Sequence, residues 1–93
     1  MTRDTLHTIL RTTVGREDKP FTFRASDDQR LTLYLGGDGR GLVVTHIEEV
    51  RLEDAYLVVK TRESDSFFAD YSAVYAVSSQ PPKEVSPKKA GFD

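Results

Sequence analysis

Two histidines, a glycine-rich loop and a scatter of arginines and tyrosines are the groups in this 93-residue chain whose types suit chemistry. His46 stands two residues before Glu48, a spacing that puts both side chains on one face of a strand and lets a carboxylate orient an imidazole. Acid–base catalysis needs a pocket and a positioned substrate as well, and most histidines on a polar strand face are simply solvated. His7 is isolated from that pair. With no cysteine in the chain and no third ligand in the pattern, a zinc site is not indicated either.

The loop Gly36-Gly37-Asp38-Gly39-Arg40-Gly41 has the composition of a phosphate cradle, in which successive backbone N–H groups surround an anion. Such cradles are backed by a helix N-terminus, whereas here Leu42, Val43 and Val44 follow, so the loop reads as a mobile connection or wide turn. Asp38 alone makes no calcium site, which gathers several oxygen ligands at regular spacing. The residues left for a binding surface are Arg24, Arg30, Tyr34, Arg40, Tyr56 and Tyr71. Exposed rings stack on bases beside guanidinium groups, or they cover a protein partner with large area at low entropy cost.

Charge decides between those uses. The chain carries a net −2 with 30% charged residues, the two signs interspersed. Three lysines against Glu84 and Asp93 leave residues 79–93 at +1, and residues 1–78 at −3. Non-specific nucleic-acid affinity comes mostly from phosphate neutralisation, so this balance disfavours RNA and favours a protein interface.

The elements that must position these groups are mostly strands. Asp4 is placed to cap a first helix whose apolar face is Leu6, Ile9, Leu10 and Val14, with Gly15 as its left-handed stop. Phe21, Phe23 and Ala25 alternate as a half-buried strand, 26–29 is a turn, and Leu31, Leu33 and Leu35 form the inner face of the next strand. Residues 42–52 read as one long strand whose inner residues change phase between Val44, Ile47 and Val50, which requires a bulge or sharp bend near Glu48-Glu49. Tyr56, Leu57, Val58 and Val59 are apolar on both parities, so that strand is buried on two faces or lies in a subunit contact. Phe67 and Phe68 point to opposite faces, 70–72 is one helical turn, and 74–77 is a last short strand.

The run Leu57-Val58-Val59-Lys60, a turn, then Phe67-Phe68-Ala69-Asp70-Tyr71-Ser72-Ala73-Val74-Tyr75-Ala76-Val77 resembles the way bacterial Sm-like (LSm/SH3-like) small β-barrels end. The similarity covers about half the chain. It implies a ring-forming barrel that often binds single-stranded RNA. The RNA-chaperone branch of that family carries a Lys-His pair where this chain has Ala69-Asp70, and an acid there repels phosphate.

The expected fold is therefore mainly β: a small, strongly bent antiparallel sheet or barrel of five to six strands with one N-terminal helix, over residues 1–78. A core this small buries only about 60% of the unfolded surface, which an oligomer would relieve. The expected function is a non-enzymatic, self-associating interaction module, with an Sm-like RNA-binding protein as the alternative. No catalytic residue, metal or cofactor is expected. The partners expected are a second copy of the chain or another protein. Met1 to Asp4 form no apolar leader and no run approaches a membrane span, so a cytoplasmic setting is expected. Residues 79–93, rich in Pro and Lys, are expected to be a disordered tail. Removing Gln80 to Asp93 should then leave the thermal midpoint almost unchanged. Sharp, random-coil-like tail amides in a proton–nitrogen NMR spectrum would agree, and dispersed, protected ones would not.

Overall fold

The structure is a computed structural model that describes residues 1–37 and 40–80. Helix α1 (Arg3–Thr13) is followed by strands β1 (Glu17–Lys19), β2 (Thr22–Arg24), β3 (Arg30–Gly37), β4 (Arg40–Val44), β5 (Ile47–Leu52), β6 (Tyr56–Thr61) and β7 (Ser66–Asp70). A 3-10 turn (Tyr71–Ala73) then leads into β8 (Val74–Gln80). The strands form two antiparallel sheets, one ordered β1-β2-β5-β6-β7 and one ordered β4-β3-β8. The molecule is thus mainly β with one N-terminal helix, as expected. It has eight strands among the described residues, more than the five to six expected, because β1 is added ahead of the expected strand at Phe21–Ala25 and the long central strand is divided. The final strand runs on through Ser78 and Ser79 to Gln80, which pairs with Arg30. The expected tail beyond it, 81–93, lies outside the described residues.

Residues 42–52 do not form one continuous strand. The chain leaves the smaller sheet after Val44 and enters the larger one at Ile47, and His46 between them has a φ of 58°. A left-handed residue reverses the pleat that an extended chain would keep, so β4 and β5 belong to different sheets. The phase change at Glu48-Glu49 is present too: the β5–β6 register slips between Ile47 and Glu49. Together these turn Val44, Ile47, Val50 and Leu52 into one core, each at most 2% exposed. Leu42, by contrast, belongs to the inward parity but is 47% exposed, because it sits near the tip of the β3–β4 hairpin. That hairpin pairs as far as Gly37 with Arg40, so the glycine-rich segment is mostly strand. Asp38, Gly39 and the Arg40 side chain lie outside the described residues.

The core joins Leu31, Leu33 and Leu35 of β3 to Phe23, Val50, Leu57 and Val59 of the larger sheet, with Leu6 and Leu10 of α1 packed among them. Each fully buried Leu or Phe contributes about 1.5–3 kcal/mol over its exposed state. Val58, on the other face, is also buried, while Tyr56 is 43% exposed, so the two-sided burial expected of this strand holds for its middle only.

The helix is capped by Thr2 and not by Asp4: the Thr2 hydroxyl accepts the Thr5 N–H at 3.1 Å. Thr2 has the extended backbone that a cap requires, whereas Asp4 is already inside the first turn, where its charge complements the helix dipole. Gly15 ends the helix with a φ of 72°, as expected. Arg3 then donates to the Leu52 carbonyl and Gln29 to the Thr13 carbonyl, tying both ends of α1 to the sheets.

Residues 16–20 supply β1 and half of a tight turn. Pro20 is followed by Phe21 at φ 63°, a position usually given to Gly in a type II turn. The Glu17 carboxylate holds Phe21 there by accepting its N–H at 2.6 Å and also meets His7 Nε2 at 3.0 Å. Arg3 lies over one Phe21 ring face, 3.8 Å from its centroid, and His7 packs at 4.4 Å. The Phe21 N–H, then His7, hold the Glu17 carboxyl below the usual carboxylate range. A folded-state value below the unfolded one means that this bond stabilises fully above the ordinary pKa of 4.5 and is lost as pH falls through the lowered value. Stability of the wild type should therefore fall more steeply on acidification than that of Glu17→Gln, read as urea midpoints from about pH 6 to about pH 3. Parallel curves would refute this role for Glu17.

Candidate functional site

The residues nominated from the sequence do not converge on one surface. Arg24 lies on the outer face of the larger sheet within 3.3 Å of three carboxylates: Asp18 at 3.2 Å, Glu48 at 3.3 Å and Glu49 at 3.0 Å. Cross-strand register sets this up, since Arg24 stands opposite Glu49 in β5. An arginine so surrounded has no charge left to offer a phosphate. Glu48 is thereby drawn away from His46, whose left-handed backbone aims its ring at Thr45 and Glu63 instead. The expected His46–Glu48 pairing is absent for that reason. His7 is a packing residue between Phe21 and Phe23.

Tyr71 is not part of an exposed surface. It is 9% exposed and its hydroxyl donates to the Glu53 carbonyl, fastening the 3-10 turn to the end of β5. Burial pushes its phenol pKa up, and the nearby Arg3 offsets part of that. The sequence offered no sign of this, because a tyrosine one residue after a strand has the same local pattern whether it points in or out.

Arg30 and Tyr34 do come together. They line a polar groove of about 770 Å³ with Asp27, Asp28, His46 and Arg62, where the start of β3 runs beside the end of β8. Its cations are partly engaged: Arg62 donates to the Ser26 carbonyl at 2.6 Å and meets Asp27 at 3.4 Å. With Asp28 also on the rim, the groove is close to neutral. It can hydrogen-bond a polar ligand, but it does not form a track of positive charge. Among the described residues, no three His, Cys, Asp or Glu side chains gather as a metal site would need, and no helix is long and apolar enough to cross a membrane.

A second kind of surface is apolar and follows the sheet borders. Among the described residues, the large exposed apolar ones are Leu42, Val43, Tyr56, Phe68 and Tyr75. Leu42 and Val43 lie on β4, Phe68 on β7 and Tyr75 on β8, all edge strands. Tyr56, one strand in, has its ring centroid 6.3 Å from that of Phe68, and Tyr34 lies 6.1 Å from Tyr75. The remaining edge, β1, is Glu-Asp-Lys and is guarded by its charges. Phe68 was legible as a residue facing away from Phe67. That its face is the open one was not.

Comparison with known proteins finds no family model, no curated protein and no solved structure that matches this chain. The geometry alone therefore carries the functional reading. It separates the buried Tyr71 energetically from the exposed edge residues. Tyr71→Phe removes a buried hydrogen bond and should cost about 0.5–1.5 kcal/mol in urea unfolding. Phe68→Ser, at an exposed position, should stay within about 0.5 kcal/mol. A large loss from Phe68→Ser in the dilute monomer would show that its ring is part of the core.

Proposed function

We propose that this chain is a non-enzymatic interaction module that self-associates through the edges of its sheets. The observation that carries the reading is the confinement, among the described residues, of large exposed apolar side chains to three edge strands and the ring beside one of them. Open edges present rows of unpaired N–H and C=O groups, and soluble chains usually protect them with charge, as β1 does here. On β4, β7 and β8 the edge instead carries Leu, Val, Phe and Tyr, residue types suited to burial against a second chain. Burial of those residues would also supplement the small core.

An Sm-like plan stays part of this proposal, since one helix, a sharp bend between β4 and β5, a meander β5-β6-β7, a 3-10 turn and a last strand returning beside β3 are compatible with it. Binding of RNA is the weaker reading. The groove does place Arg30 beside Tyr34, but Arg24 is neutralised and Arg62 is held by Asp27. Sedimentation velocity at micromolar concentration should show a dimer or larger species, and a strict monomer across that range would refute self-association. Fluorescence anisotropy with short single-stranded RNA should show weak binding that collapses as salt rises. Sub-micromolar, sequence-selective binding at physiological salt would replace the proposal with the RNA-binding one.

A further inference from the structure

Which edge mates with what can be read from β7. Its pairing with β6 sets Val58 opposite Phe68, Lys60 opposite Ser66 and Tyr56 opposite Asp70. The Thr61 N–H donates to the Asp65 carbonyl, one step beyond the Lys60–Ser66 pair. In an antiparallel ladder, hydrogen-bonded pairs alternate with non-bonded ones, so the bonded pairs are Val59 with Phe67 and Leu57 with Ala69. The backbone N–H and C=O groups of Ser66, Phe68 and Asp70 consequently point away from β6, toward the open edge. The same three residues carry the outer-face side chains, and Phe68 is 68% exposed.

We infer that β7 pairs antiparallel with β7 of a second copy across a twofold axis centred on Phe68. This rests on the self-association proposed above and names its surface. With Phe68 opposite the partner's Phe68, Ser66 falls opposite the partner's Asp70 and Asp70 opposite the partner's Ser66. Two N–H···O bonds form at each of these pairs, which uses every outward backbone group of the strand. The two Phe68 rings meet at the centre, flanked by Tyr56 from each copy, in the aromatic arrangement that protein interfaces favour. The twofold operation makes the patch self-complementary and closes the assembly at two.

Charge selects this register. Across the joined sheets one outer-face row reads Lys60, Ser66, the partner's Asp70, the partner's Tyr56. Serine is small, so Lys60 reaches over it to a carboxylate two strands away, and the symmetric row repeats the pair. Among the described residues neither Lys60 nor Asp70 has an ion-pair partner within the chain. Asp70 precedes the 3-10 turn without capping it, so its side chain is uncommitted there. A register slipped by one residue at each strand would put Phe68 against Ser66 and carry Asp70 past the end of the partner strand. Of the other apolar edges, β8 carries no charged residue and β4 no aromatic one.

The chain has no cysteine, which makes single-thiol variants clean probes. Residues opposed in a bonded antiparallel pair have Cα atoms about 5.5 Å apart, inside the range a disulfide spans. Mild oxidation of Phe68→Cys in the full chain should give a covalent dimer on a non-reducing gel, while Leu42→Cys and Tyr75→Cys, on the other edges, stay largely monomeric. Asp70→Lys in the otherwise native chain should weaken dimerisation about tenfold or more in sedimentation equilibrium. Adding Lys60→Asp should restore it, because the row is then reversed in sign. An oligomer that Phe68→Cys does not trap and that both charge variants leave unchanged overturns the β7 interface and leaves self-association standing. A wild-type chain that is monomeric throughout overturns both.

Discussion

Everything in this fold depends on the chain changing sheets at Thr45-His46. A domain with one small core and no cysteine must bury both sheets against each other, and the apolar residues of 42–52 lie on alternating parities that a straight strand would send to opposite faces. The left-handed His46 and the slip at Glu48 correct the phase twice, so that Val44, Ile47, Val50 and Leu52 all point inward. A non-glycine residue in that conformation costs about 1 kcal/mol, and the fold tolerates it because the His46 carbonyl accepts the Arg62 N–H at 2.8 Å and four buried side chains follow from it.

The same logic operates at a second non-glycine corner, Phe21, which packs on the helix. Phe21 has a backbone suited to Gly, yet its ring is wanted: it sits between Arg3 and His7 and links α1 to β2. Glu17 stabilises that corner by accepting the Phe21 N–H and contacting His7. Local backbone strain is thus offset by contacts between segments far apart in sequence, which is why neither corner announces itself in the residues around it.

Five of the described arginines, Arg3, Arg16, Arg24, Arg51 and Arg62, spend their charge on nearby carboxylates. Arg24 is enclosed by Asp18, Glu48 and Glu49, Arg51 meets Glu53, and Arg62 meets Asp27. Exposed ion pairs of this kind contribute little stability, but they leave little field to attract a polyanion. What distinguishes the surface is apolar side chains along open sheet borders. On the proposed reading, the β6–β7 border adds to them a lysine and an aspartate placed for a second copy, and the groove near Arg30 and Tyr34 is left as a neutral polar surface.

Alternation by two in Leu31-Leu33-Leu35, the helical spacing of Leu6 and Leu10, the Gly15 stop, the 3-10 turn near Tyr71 and the need for a break in phase near Glu48 were all determined by the sequence. Each is a local property, fixed by backbone geometry and side-chain periodicity within a few residues. Tertiary structure alone decided that the chain divides into two sheets at His46, that Thr2 and not Asp4 caps α1, and that Tyr71 is buried while Phe68 is exposed. It also separated Arg24 and Tyr56 from the groove that holds Arg30 and Tyr34. A period of two says that successive side chains face opposite ways, but which way is inward depends on where the second sheet lies. That position is set by contacts between residues distant in sequence, which no local pattern records.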